Sequence, residues 1–400
     1  MLPLDANRIE HFARNWIVFG FFVYFGCFFL LNLGGMIIPF LIFVVFPVLI
    51  LCVVSRFRCV HDKYAVFVCA AFLGYFSLSA LWGEGSFFNA LKYSLCILCL
   101  MLSVENVSQK VSEDAMMKSI IVIGLIAAIS FTMAILLSSR DLMTFMTGRF
   151  SFFDIAGWGR KNPIHSGIAI GVPVIAAWYF FPGKRWYVQL MLIVTVMLGA
   201  MLLLVTKSRG PMLAAAITLL CITLYRREKS DFLLLFLFAI LAGLLLLNVD
   251  SVNNSVVNRF EEKDYRLIIW RSGLDLFMDH WLFGQGYGTN ARITTEWSFS
   301  HAHNTIIDTL RIGGVIGGVL FIYMLGAMIR LSRIHSGNIF YLFWLLFGML
   351  SLFTNGRLPL RNPGGMEFYG FWLPLFLFYY MKKRPDLPSA NASITQEKAE

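Results

Sequence analysis

From Trp16 to Met381 the chain is a succession of long apolar runs, separated by short stretches that hold most of its Lys, Arg, Asp and Glu. A helix of about 20 apolar residues spans a bilayer's hydrocarbon and satisfies its own backbone groups there. The windows fall at 16–33, 36–54, 64–81, 88–104, 119–137, 166–181, 186–205, 210–225, 232–249, 305–329, 339–353 and 368–381. The pattern predicts an all-α, polytopic bundle of about 12 transmembrane helices, some of them tilted or broken. Composition agrees: 58% of residues are hydrophobic and 14% charged, against roughly 45–50% and about 25% in soluble domains.

The net charge of +10 is spread among loops, which points to orientation and anionic headgroups and not to nucleic acid. If the spans alternate, Arg56, Arg58, Lys63, Lys184, Arg185, Arg226, Arg227, Lys229, Arg330, Arg333 and Lys382–Arg384 share one side. The positive-inside rule makes that side cytoplasmic and puts both termini there. The first apolar run is read as an uncleaved helix, since a second span follows at once. Gly34-Gly35 is expected to turn the chain between these two spans. The expected division is 1–249 for the first nine spans, 250–304 for one large periplasmic loop carrying helices, 305–381 for the last spans and 382–400 for a polar cytoplasmic tail.

The other side is unusually basic. Arg140, Arg149, Arg160, Lys161, Lys207, Arg209, Arg259, Lys263, Arg266, Arg271, Arg357 and Arg361 fall there. Some occupy turns so short that positive charge opposes the preferred orientation, Lys207-Ser208-Arg209-Gly210-Pro211 above all. Pro211 suits a first helical turn. Amide groups at that helix start, with Arg209, would suit phosphate, which a guanidinium grips two oxygens at a time. In the large loop, 259–281 reads as an amphipathic helix with Leu267, Trp270, Leu274, Phe277, Met278 and Trp281 on one face and Arg259, Lys263 and Arg266 leading it.

His301-Ala302-His303-Asn304 ends that loop. A neutral imidazole takes a proton near pH 7, and few other side chains do. The two rings would share a face only in an extended segment. A metal site needs more ligands, and Glu296, His165 and His280 are only loosely available. Gly284-Gln285-Gly286-Tyr287-Gly288 has no preceding strand and no βαβ surroundings, so it reads as a tight turn and not as a nucleotide fingerprint. Cys96 and Cys99 have redox-pair spacing but lie inside a span, where packing is the expected role. Ionisable residues are nearly absent at mid-span and no internal repeat is evident, which argues against a transporter of charged cargo.

Ser208-Arg209-Gly210-Pro211, Arg266 with Trp270, the 284–288 glycine run, His301–Asn304 and Gly313-Gly314-Val315-Ile316-Gly317 occur in this order relative to the spans. In this pattern the chain resembles the O-antigen ligase and polymerase family of bacterial inner-membrane glycosyltransferases, its lipopolysaccharide core ligases in particular. The resemblance implies transfer of O-polysaccharide from undecaprenyl pyrophosphate to lipid A–core at the periplasmic face, with inversion and without metal, nucleotide or other cofactor. Its implied partners are the lipid-linked polysaccharide, the lipid A–core acceptor and membrane lipids; self-association is left open. His303 is then the general base, and Arg209 and Arg266 hold the donor pyrophosphate. Arg160, Lys161, His301, Arg357 and Arg361 are secondary substrate-binding candidates. The alternatives are an O-antigen polymerase and, further off, a lipid-linked sugar transporter.

Overall fold

The computed structural model describes residues 6–31, 35–58, 60–138, 149–159, 161–180, 185–233, 235–236, 265–292, 298–332 and 339–381. Each expected window except 232–249 coincides with a helix; that window, the loop from 250 to 264, Arg140, Arg160, Gly34 and the tail lie largely or wholly outside the described residues. The helices are α1 (Ala6–Leu30), α2 (Ile37–Val54), α3 (Lys63–Leu81), α4 (Phe87–Lys110), α5 (Glu113–Leu137), α6 (Phe152–Ala156), α7 (Pro163–Phe180) and α8 (Trp186–Thr206). They continue with α9 (Arg209–Arg226), α10 (Tyr265–Asp279), α11 (Thr305–Leu331), α12 (Ile339–Asn355) and α13 (Phe368–Tyr380). Among the described residues eight helices have the length and hydropathy to cross a bilayer. The protein is an all-α polytopic membrane protein.

Local chemistry sets the helix starts. Asp62 accepts from the Ala65 amide at 2.9 Å, and Ser112 from that of Ala115 at 3.2 Å, with Glu113 and Asp114 following in the first turn. Ser151 and Asp154 form a reciprocal capping box that starts the short α6. Such caps satisfy amides that have no partner inside the helix. Large apolar side chains, Phe19, Ile38, Phe88 and Leu137 among them, point outward from the bundle. Water would penalise that arrangement and acyl chains do not.

The inner layer is α13, packed against α12, α4 and α11, with α1 reaching it through Phe28. Tyr369 stacks on Phe28 with ring centroids 3.8 Å apart, and Trp344 meets Tyr369 edge-on. Cys96 and Cys99 are buried in α4, in keeping with a packing role.

α11 is not one continuous helix, as its hydropathy had suggested. Gly314 adopts φ 61° and ψ −163°, which breaks it after two turns. The segment 281–286 lies along the break: the Val315 amide donates to the Trp281 carbonyl at 2.7 Å, and the Gln285 and Gly286 amides donate to Arg311 and Ile312 carbonyls at 2.9 and 3.0 Å. Exposed backbone groups are not tolerated in hydrocarbon, so a broken helix needs such a partner. Gly284 must lack a side chain here, because a Cβ would overlap the Ile312 backbone.

Candidate active site at the histidine loop

The N-terminal ends of α7, α9 and α11 and the C-terminal end of α12 lie at one end of the bundle. Pro211 packs on Gly167, Gly210 on Thr354, and Gly356 on Thr305. The short antiparallel pair β1 (Ala291–Arg292) and β2 (Ser298–Phe299) leads the chain back toward the start of α11. There Asn304 caps the helix, accepting from the Ile306 and Ile307 amides at 2.9 and 3.2 Å.

His303 precedes that cap with φ 51°, a left-handed value uncommon for a residue with a side chain. The turn brings the rings of His301 and His303 to a centroid separation of 3.9 Å. This corrects the expectation that the pair could share a face only in an extended segment. A single left-handed residue folds the two imidazoles onto one another.

The loop is held from three sides. Asn355, the last residue of α12, places its Oδ1 2.8 Å from His303 Nδ1. An amide oxygen only accepts, so Nδ1 carries the proton and the basic lone pair belongs to Nε2. Asp308 in α11 accepts from the Ala302 amide at 3.1 Å through Oδ1 and from the Leu358 amide at 2.8 Å through Oδ2. Gly273 of α10 lies against Ala302 and Ile307.

Positive charge surrounds the two rings. Burial first, then Arg357, His303 and Arg361, pushes His301 far below its ordinary value. Burial, Arg357 and Arg266 lower His303, against the Asn355 hydrogen bond and the Asp308 charge, which favour protonation. Arg357 is itself pushed down to about 10, mainly by burial and then by Arg361, and so remains cationic at neutral pH. Glu367 is buried beside Arg357 and Arg361, and burial raises its carboxyl.

The structure therefore brings together His301, His303, Arg266, Arg357 and Arg361. Arg209 joins through its neighbour: Gly210 touches Thr354, one residue before the Asn355 that holds His303. Lys161 lies at the same end, its Nζ 4.7 Å over the Phe153 ring. Arg160 is outside the described residues. The expected amphipathic helix begins, as α10, at Tyr265, so Arg259 and Lys263 also fall outside; Ile269 is buried, Trp270 meets Phe353, and Leu267, Leu274, Met278 and Trp281 are exposed. The glycine run is a turn, with positive φ at Gly284, Gly286 and Gly288, seated against the Gly83–Gly85 turn after α3.

Sequence reasoning missed Asn355, Asp308, Arg311 and Glu367. For Asp308 and Arg311 the signal was present: two ionisable residues one turn apart within an apolar run mark a function by default. Asn355 and Glu367 carried no comparable signal, since their neighbours in space are distant in sequence.

For His303 acting as the general base that the sequence resemblance implies, the disfavoured charged form gives a pH prediction. Only the unprotonated ring accepts a proton, and a lowered His303 keeps that form at more acidic pH. Turnover should hold through about pH 6.5, the midpoint of an ordinary imidazole, and decline only below it. A half-maximal rate at or above that pH in purified protein would remove the ring from the base role.

The fold and site define a polytopic α-helical membrane protein with a histidine–arginine centre at one end of its bundle. Residues 193–322, from α8 through the break in α11, match the family model described as O-antigen ligase. Over that segment, which contains both histidines, Arg209 and Arg266, the chain carries a domain of the O-antigen ligase family. That match supports an activity of the ligase or polymerase type in a membrane. A search among curated proteins finds no match to the chain.

Proposed function

We propose that the chain transfers O-polysaccharide from undecaprenyl pyrophosphate to a sugar hydroxyl of lipid A–core at the periplasmic face of the bacterial inner membrane. The observation that carries this reading is an imidazole fixed through Nδ1 by Asn355, whose charged form is disfavoured by burial, Arg357 and Arg266.

The chemistry follows from the charges. The acceptor hydroxyl oxygen attacks the anomeric carbon from the face opposite the pyrophosphate, and its proton passes to His303 Nε2. The bond from that carbon to the phosphate oxygen breaks, leaving its electron pair on the pyrophosphate, and the configuration inverts. The departing group is a good leaving group, so what it needs is fixed positive charge and not an acid. Arg209 at the start of α9 and Arg266 in the first turn of α10 would hold it. Arg357, Arg361, Lys161 and His301 would engage acceptor phosphates or position the loop, and Arg160 belongs to the same group by sequence. The basic loops at the other end would face the cytoplasm with both termini, leaving 250–304 and its surrounding turns as the periplasmic working face.

The test is a purified reaction in detergent with labelled lipid-linked polysaccharide and lipid A–core, with a chelator present. Glycan should move to the acceptor without added metal or nucleotide. Joining of lipid-linked repeats instead would make the protein a polymerase, and no covalent transfer at all would overturn the enzyme reading. In the same assay Arg209→Lys should lose most of the activity, since an ammonium cannot reproduce a bidentate grip. Wild-type turnover by that variant would leave Arg209 a topological role.

A further inference from the structure

We propose that Asp308 is a positioning residue that fixes the histidine loop relative to Arg357, and that Arg311 extends this clamp to the glycine turn. The proposal rests on the reading of the reaction given above for its activity arm only.

Asp308 is 2% exposed and Arg311 is fully buried. Asp308 Oδ1 accepts from Arg311 Nη2 at 2.9 Å and Nε at 3.3 Å, and from the Ala302 amide between the two histidines at 3.1 Å. Its Oδ2 accepts from the Leu358 amide, the residue after Arg357, at 2.8 Å. Arg311 Nη1 donates to Gln285 Oε1 at 3.0 Å and to the Thr289 carbonyl at 2.8 Å. One buried ion pair thus ties together three separate segments, 285–289, 301–303 and 357–358, the last of them 50 residues from Asp308.

The simpler reading is charge balance, in which Asp308 only neutralises a buried guanidinium. The geometry argues against it. Within the pair Arg311 engages Oδ1 alone, while Oδ2 is committed to the Leu358 amide, which carries no net charge. Breaking a buried pair on one side leaves a stranded charge and would unfold the site for trivial reasons. The informative variants therefore keep the charges balanced. Asp308→Glu retains the ion pair but displaces the carboxylate by one methylene. Asp308→Asn with Arg311→Gln removes both charges, and an Asn side chain has one accepting oxygen for two amides that need one.

Full-length protein in detergent is measured in two ways. Hydrogen exchange should show the peptides containing Ala302 and Leu358 losing protection together in both variants, with the transmembrane helices unchanged. In the transfer assay kcat should fall by about 10²-fold, the usual consequence of a misplacement near 1 Å, while KM for the donor stays within a factor of about three of wild type. Wild-type kcat in either folded variant, or protection lost at only one peptide or at neither, overturns the proposal. If the double variant does not fold, Asp308→Glu decides. If wild-type protein transfers no sugar, the reaction reading has failed, and the exchange measurement alone decides whether Asp308 couples the two segments.

Discussion

Replacing His303 with alanine should reduce transfer by the full contribution of a general base, about 10²–10⁴-fold, while the protein still folds and inserts. The expected loss follows from where the ring stands. Its Nδ1 is committed to Asn355, so in the proposed reaction Nε2 would be the atom that takes the acceptor's proton. His301 cannot replace it: that ring is more deeply buried, with its Nδ1 3.0 Å from Ser300 Oγ. The fold should survive because the loop's backbone anchors belong to other residues. Asn304 caps α11, and Asp308 holds the Ala302 amide. Circular dichroism and thermal melting of His303→Ala should match wild type while product formation disappears. Undiminished turnover would move the base elsewhere in the site.

The second large effect is structural and reaches the site from a distance. Gly348→Val should prevent α12 from seating against α13. At their crossing Gly348 lies directly on Gly370, and a Cβ there would overlap the Gly370 carbonyl. Overpacking commonly costs about 1–3 kcal/mol when side chains can yield. Here the obstacle is backbone in the most buried layer of the bundle, so the cost should reach or exceed the upper end of that range. Asn355 lies two turns further along α12, and the helix that cannot seat carries it away from His303. Gly26→Ala is the control, since a Cβ there meets nothing within 4 Å. The expected outcome is low yield, a depressed melting temperature and lost transfer for Gly348→Val, and wild-type behaviour for Gly26→Ala. A stable, active Gly348→Val protein would mean that the two helices do not cross at these glycines.

Much of the architecture was legible from hydropathy. Every window that falls on described residues became a helix, because partition of a 20-residue segment into hydrocarbon depends on that segment's own composition. The basic character of one set of turns was legible for the same reason, and so were the histidine pair and the glycine turn as local patterns. The break in α11 was not. A run containing Gly313-Gly314 reads as one span by hydropathy, and only the segment 281–286, supplying the backbone partners, makes a break affordable. The nearness of the two imidazoles was misjudged because it depends on one left-handed residue, which periodicity does not report.

What the amino-acid order determined alone is the placing of the apolar helices among the described residues and the kinds of side chain gathered in the turns between them, since both arise from interactions among near neighbours. Only the tertiary structure decided that His303 meets Asn355, that Asp308 meets Leu358, and that Gly210 sits beside Thr354. These pairs are about 50 residues or more apart in the chain, and their meeting is a property of how α9, α11 and α12 pack, which no local pattern encodes.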